Sequence, residues 1–308
     1  MRAFLMTLAI LCYTSCSGFA WSDESGAGQL HLSFEGQPVL SYCYGDQLAP
    51  GVPEKFRRSS YIHPIYGLDG EVLTEDFPAD HYHHRGLSLM WPVMKVGDIA
   101  CDLWTIDKIR SVFRKWSYQG VSREMAEVGI HNAWVMSDGR EVADEVLHLR
   151  VYAATDLGRV IDVRYVLTAR SEPISLHGQT AQNKGYGGLV CRTVHDSLRK
   201  DTVIRTNAGP LTADSLREPF EWADLSARMP GGTGVSGIAV VPVPTHPDYP
   251  PAWMLRHYGV LNPAWPGTKE FVMQPGEPLE LGYRIYVHRG VAIPGRIAKV
   301  REEWQSPR

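Results

Sequence analysis

Leu147-His148-Leu149-Arg150-Val151-Tyr152, followed after a short gap by Ile161-Asp162-Val163-Arg164-Tyr165-Val166-Leu167-Thr168, decides the fold class. Apolar and polar residues alternate through both runs, with only Val166 breaking the pattern on the polar side. A period of two puts one set of side chains on each face of a β-strand. Asp156-Leu157-Gly158 lies between the runs and supplies turn residues, so the pair is predicted to form a hairpin with one face in a core.

The same signal spreads in both directions. Leu279, Leu281, Tyr283, Ile285 and Val287 make the cleanest alternating strand, and further strands are expected at 124–136, 189–194, 202–206, 221–228 and 237–242. Toward the N-terminus, 30–35 and 39–44 flank a Gly36-Gln37 turn. The stretch 60–66 is interrupted by Pro64, which suits an edge or a strand end, and 87–91 is a short apolar strand. The segment 96–115 reads either as a short helix or as an excursion. One helix is expected, at 294–304, where Ile297, Val300 and Trp304 share a face. Strands at intervals of about ten residues, with 29 Gly and 21 Pro to turn between them, predict an all-β protein. Its expected form is a large antiparallel β-sandwich, and a galactose-mutarotase-like supersandwich is one version of it.

Residues 1–20 read as an export signal. Arg2 is the positive end, 3–13 the apolar stretch, and Gly18-Phe19-Ala20 a small-x-small cleavage site. Residues 21–308 are then one domain, placed in the periplasm or outside the cell. A second reading is lipid anchorage through Cys16, although Tyr13 stands where such signals usually carry Leu. No other segment is apolar enough to span a bilayer. The formal charge of −3 leaves no basic footprint for nucleic acid. Cys43, Cys101 and Cys191 are far apart and lack metal-finger spacing.

Three stretches carry candidate chemistry. In 76–91, His81, His83 and His84 crowd together with Asp76, Asp80 and Arg85, between Pro78 and Gly86. Neither strand nor helix period fits them, so they are expected on a loop that feeds the 87–91 strand. The alternative is a corner whose histidines satisfy turn carbonyls. In 175–188, four glycines surround Gln179, Gln182, Asn183, Lys184 and Tyr186, which suits either a close backbone approach to a ligand or a plain turn. No phosphate-loop signature is present. In 245–259, His246, Tyr249, Trp253, Arg256 and Tyr258 are set among prolines 247, 250 and 251. Aromatic faces and planar polar groups suit a sugar, and the alternative is a cluster sealing one end of the sandwich.

These stretches, together with Tyr61-Ile62-His63-Pro64, Asp69-Gly70 and Tyr286-Val287-His288-Arg289-Gly290, resemble the DUF6807 family over almost the whole mature chain. Asp80-His81-Tyr82-His83-His84-Arg85-Gly86 is the most specific part. The resemblance implies an exported or lipid-anchored bacterial protein, of a kind often encoded near sugar oxidoreductases and glycoside-active proteins. Gly185 stands where the family commonly has an acidic residue after the loop lysine. The inherited "methane oxygenase subunit-like" label conflicts with physics, because a membrane oxygenase subunit needs several spanning helices.

Histidines titrate near neutrality and serve as acid and base. The expected catalytic set is His81, His83, His84, His63, Asp80, Arg85 and Lys184, with the Arg or Lys stabilising an oxyanion or enolate. The expected substrate-binding set is Tyr186, His246, Tyr249, Trp253, Arg256, Tyr258 and Asn183. No paired glutamates suggest an ordinary glycosidase. The reading is a lyase, an epimerase, or a hydrolase of an oxidised (keto) glycoside, acting on a small-molecule or oligosaccharide substrate without a cofactor. Two alternatives remain. One is a divalent metal held by His63, His81, His83 and His84, and the other is a glycan-binding module without turnover.

Overall fold

The hairpin is present. Glu141–Tyr152 and Gly158–Ala169 pair antiparallel, with Leu147 opposite Tyr165, Leu149 opposite Val163 and Val151 opposite Ile161. All six side chains are buried, while His148, Arg150 and Arg164 stay partly exposed on the other face. Each such apolar side chain contributes about 1.5–3 kcal/mol by leaving water, and this sets which face turns inward. The computed structural model describes residues 18–156 and 158–304. The turn residue Leu157 lies outside the described residues, as do Cys16 and most of the expected export signal.

Among the described residues there are two nine-stranded sheets and one four-stranded sheet. The first sheet runs, edge to edge, Phe19–Glu24, Gln29–Phe34, Gln37–Cys43, Tyr61–Ile65, Leu87–Met90, Gly188–Arg192, Val260–Pro263, Ala252–Arg256 and Ser215–Pro219. The second runs Gly209–Leu211, Lys200–Thr206, Ala223–Arg228, Val235–Pro242, Pro278–Arg289, Gly158–Ala169, Glu141–Tyr152, Met125–Met136 and Ile109–Val121. Apolar side chains of both sheets meet in one core, which includes Trp91, Trp134, Trp253 and Trp265. Buried polar groups link them: Tyr42 of the first sheet hydrogen-bonds Asn132 of the second, and Asn132 donates to Glu145 at 2.8 Å. The fold is thus all-β and antiparallel. Pro294–Glu302 is the one α-helix among the described residues, with Ile297 and Val300 buried.

Of the two readings of 96–115, the excursion holds, and the segment contains no helix. Val93–Val96 and Ile99–Cys101 form a short hairpin in the third sheet, beside Ile174–His177 and Glu270–Met273, and a turn then leads into Ile109–Val121. The 245–259 stretch contains a regular strand, Ala252–Arg256. Phe19 and Ala20, expected to leave with the export signal, open the first strand. Phe19 pairs with Phe34, its ring lies 4.7 Å from that of Phe34, and it is buried.

Four neighbouring strands of the first sheet decide where the histidine loop sits. The loop enters Leu87–Met90 at its first residue. Antiparallel pairing brings the end of Gly188–Arg192, the start of Val260–Pro263 and the end of Ala252–Arg256 to the same edge.

Candidate active site

Residues 76–86 form a loop stapled at its base and filled by its own arginine. Asp76 bridges to Arg85, and the backbone amides of His81 and His84 close successive turns onto the carbonyls of Pro78 and His81. Gly86 donates to the Glu75 carbonyl and accepts from the Arg192 amide. A side chain at 86 would collide with the Ile62 carbonyl, so only glycine lets the loop join the sheet here. The Arg85 guanidinium is fully buried. It donates to the carbonyls of Tyr82, His84 and Phe56, lies over the Phe77 ring and faces Asp76 at 3.3 Å. Burial pushes the Asp76 carboxyl up to about 6, against the pull of Arg85.

That scaffold presents the histidines in order. Their rings belong to a row that starts at Tyr258, stacks on His81 at 5.6 Å and 10°, and continues to His84 at 4.9 Å and 9°. The row then turns edge-on to Trp104 at 5.6 Å and reaches Tyr186 at 4.6 Å. His81 is therefore held between two flat faces. Asp80 accepts from its Nδ1 at 2.8 Å, which leaves Nε2 as the basic nitrogen, and 39% of the side chain is exposed.

Asp80 is the hub of the charges. Its second oxygen accepts from Arg192 at 2.9 Å, and His195 Nε2 lies 3.7 Å from the first. Burial works against ionisation of Asp80, but His81 and Arg192 outweigh it and hold the carboxyl below the usual range. Arg192, fully buried, also donates to Glu75 and touches His84 Nδ1 at 3.4 Å. Burial, then His83 and Arg192, push His84 well below ordinary histidine values. Burial first, with the charges around it, brings His83 down to about 3. Those two rings stay neutral beside His81. Arg58 closes the far side by donating to the carbonyls of His83 and Leu103.

The expected site residues divide. His81, His83, His84, Asp80, Tyr258 and Tyr186 come together. Arg85 is at hand, but its fork is spent on carbonyls. His63 hydrogen-bonds Thr74 at 3.0 Å, and burial and Arg85 push it down to about 4. Lys184 and Asn183 sit on the glycine loop that delivers Tyr186. The 245–259 segment splits. His246 is buried against Tyr283 at 2.8 Å, and Trp253 is buried with its indole N–H on the Phe220 carbonyl, so both belong to the core. Arg256 pairs with Asp214, and Tyr249 lies by Glu221 and Arg301, near the helix. Trp104, Arg192, His195, Glu75 and Arg58 were not singled out from sequence. An arginine ending the apolar run Gly188–Arg192 was the one legible sign. Among the described residues, no group of three or more His, Cys, Asp or Glu is arranged to hold a metal ion. The three described cysteines are free and buried. No helix there is long and apolar enough to cross a membrane.

The model of the family of unknown function DUF6807 matches residues 29–302. The chain belongs to the DUF6807 family. No curated protein matches its sequence. Among solved structures this DUF6807 protein is similar to the heparan sulfate lyase HepC from Pedobacter heparinus, with 8% identity over 91% of the chain and a TM-score of 0.40. It spans 36% of that lyase. It is also similar to a galactose mutarotase related enzyme from Lactobacillus acidophilus, with 9% identity, 88% of this chain, 97% of that one and a TM-score of 0.39. A GalM/aldose epimerase homologue from C. elegans has 8% identity, 90% and 100% coverage and a TM-score of 0.39.

Proposed function

We propose that this protein is an exported carbohydrate-active enzyme in which His81 moves a proton at a sugar carbon. The observation that carries the reading is the clamped His81–Asp80 pair. The carboxylate fixes the tautomer and stabilises the imidazolium once the proton arrives, while the Tyr258 and His84 faces hold the ring. His84 is held neutral, so it does not repel that charge. The aromatic face of Tyr186 suits the C–H face of a pyranose.

A proton next to a carbonyl is the one an imidazole can remove. A keto sugar or an oxidised glycoside therefore fits better than an ordinary glycoside. His81 takes the proton and the electron pair becomes an enolate. Either that pair then forms the C=C bond while the β-substituent leaves with the electrons of its own C–O bond and takes up a proton, or a proton returns to the carbon. The test is to incubate the protein in D2O with 3-keto glycosides and uronide oligosaccharides and follow loss of the α C–H signal by NMR. Exchange or product is expected with the parent protein, falling by roughly 10²–10⁴ in His81→Ala. If no substrate exchanges or breaks while oligosaccharides still bind, the protein is a glycan-binding module and the catalytic reading is wrong.

A further inference from the structure

A cavity on the solvent face of the second sheet is not part of the His81 site. It is lined by Tyr118, Glu127, His148, Arg150, Asp162 and Arg164, from four adjacent strands. Leu147, Val151 and Val163 of those strands point the other way, into the core. The sandwich interior therefore lies behind it. The helix Pro294–Glu302 covers another part of this face, where Ile297 and Val300 pack among Trp222, Ala239, Val241 and Tyr286. Arg284 ties the helix down through the Val300 carbonyl at 2.8 Å. At about 320 Å³ the cavity is at the small end for a ligand site.

Two features define what fits. The first is an aromatic floor. Tyr118 lies against Gly129, where any side chain would strike its ring, and it stacks on His148 at 6.0 Å and 24°. The Tyr118 hydroxyl and His148 Nδ1 are 3.1 Å apart. The second is closed charge balance. Arg150 faces Glu127 at 3.1 Å, Arg164 faces Glu280 at 2.6 Å, and Arg284 grips Asp162 with two bonds of 2.7 and 2.8 Å. Every guanidinium there has a carboxylate, so neither an anion nor a cation finds an uncompensated partner. What remains is a ring face edged with planar donors and acceptors that have spare lone pairs and protons. A neutral polyhydroxylated ring satisfies both features, with C–H groups on Tyr118 and hydroxyls bridging the ion pairs. We infer that this groove is a second carbohydrate site, which holds a neutral sugar residue of a glycan chain on the sheet face.

The inference does not depend on proton transfer by His81. The test is affinity electrophoresis of the folded protein through native gels containing soluble neutral polysaccharides (dextran, xylan, galactomannan, soluble starch), with pectate and alginate as anionic controls. At least one neutral polymer should retard the parent protein and His81→Ala alike. Tyr118→Ala should weaken that retardation tenfold or more while melting temperature and any turnover stay unchanged. Arg164→Met should weaken it without disturbing the aromatic pair. The inference is overturned if no neutral polymer retards the protein, if only the anionic ones do, or if Tyr118→Ala migrates like the parent. Loss of retardation in His81→Ala would also overturn it, by placing the glycan at the histidines.

Discussion

An imidazole that is to take a proton must be held still while one nitrogen stays free. His81 meets that condition, and Arg85, from the same loop, meets the opposite one. His81 offers Nε2 from a partly exposed ring, whereas the terminal nitrogens of Arg85 are spent on backbone carbonyls, its face lies over Phe77 and its buried Nε faces Asp76 at 3.3 Å without a hydrogen bond. Their variants should separate accordingly. His81→Ala is expected to lose turnover by roughly 10²–10⁴ and to leave the melting temperature almost unchanged. Arg85→Lys cannot reproduce the planar fork and leaves carbonyls without donors, so it is expected to cost about 3 kcal/mol and to melt several degrees early. His84→Ala belongs with Arg85. Its ring is buried in the row, and removal opens a hole rather than a free surface. Thermal melts and turnover per folded molecule, measured on the same three proteins, check the division.

The loop works because of where it joins the strand. Gly86 sits against the Ile62 carbonyl and exchanges backbone hydrogen bonds with Glu75 and Arg192. Gly86→Ala is expected to push Leu87–Met90 away from Tyr61–Ile65, lowering both stability and turnover, although the residue carries no chemistry. A Gly86→Ala protein with parental melting and parental rate would show that the junction is slack. The same junction explains why part of the site was illegible. Asp80, His81, His83 and His84 are close in sequence and announce themselves. Arg192 ends Gly188–Arg192 and His195 follows it, more than a hundred residues from Asp80, and Trp104 comes from the turn after Ile99–Cys101. Their nearness follows from strand order, which local pattern does not encode.

At the scale of the whole molecule, two consequences follow from burial. Phe19 packs on Phe34, and the Gly18 carbonyl accepts from the Glu35 amide. A cut after Ala20 would remove both contacts, so if the protein is exported as proposed, its processed form is expected to begin at or before Gly18. N-terminal sequencing that finds Trp21 first would refute this. The second consequence is acid sensitivity. Burial is the chief cause that brings His63 and His246 down to about 4 and His83 to about 3, and that pushes His84 lower than ordinary values. The unfolded chain binds those protons near pH 6.5 and the folded one does not. Stability from these four groups is thus complete above about pH 6.5 and is lost as pH falls toward their folded values. Asp76, raised to about 6 by burial, Asp102 and Glu145, raised by burial, and His288, raised because Asp224 outweighs burial, act in the opposite sense, while burial lowers His148 along with the four rings above. Melting temperature should fall steadily between pH 7 and 4.5, and a flat profile would contradict the burial of these rings.

Local pattern was enough for the fold class, the hairpin 147–168, the long strand Pro278–Arg289, the C-terminal helix and the histidine loop. Each of these is written in neighbouring residues, as a period of two, a helical face or a local cluster. Its reading of 245–259 shows the limit. Trp253 and Tyr258 are five residues apart, yet one ends in the core and the other in the ring row, because Ala252–Arg256 is a strand paired on both sides and Tyr258 follows it into a turn. That Arg192 holds Asp80, that Tyr258 and His84 clamp His81, and that Arg85 braces the loop from inside emerges once the strands are assembled. Those relations depend on which strands lie side by side and which face each side chain takes, and both are set by the burial of the whole core.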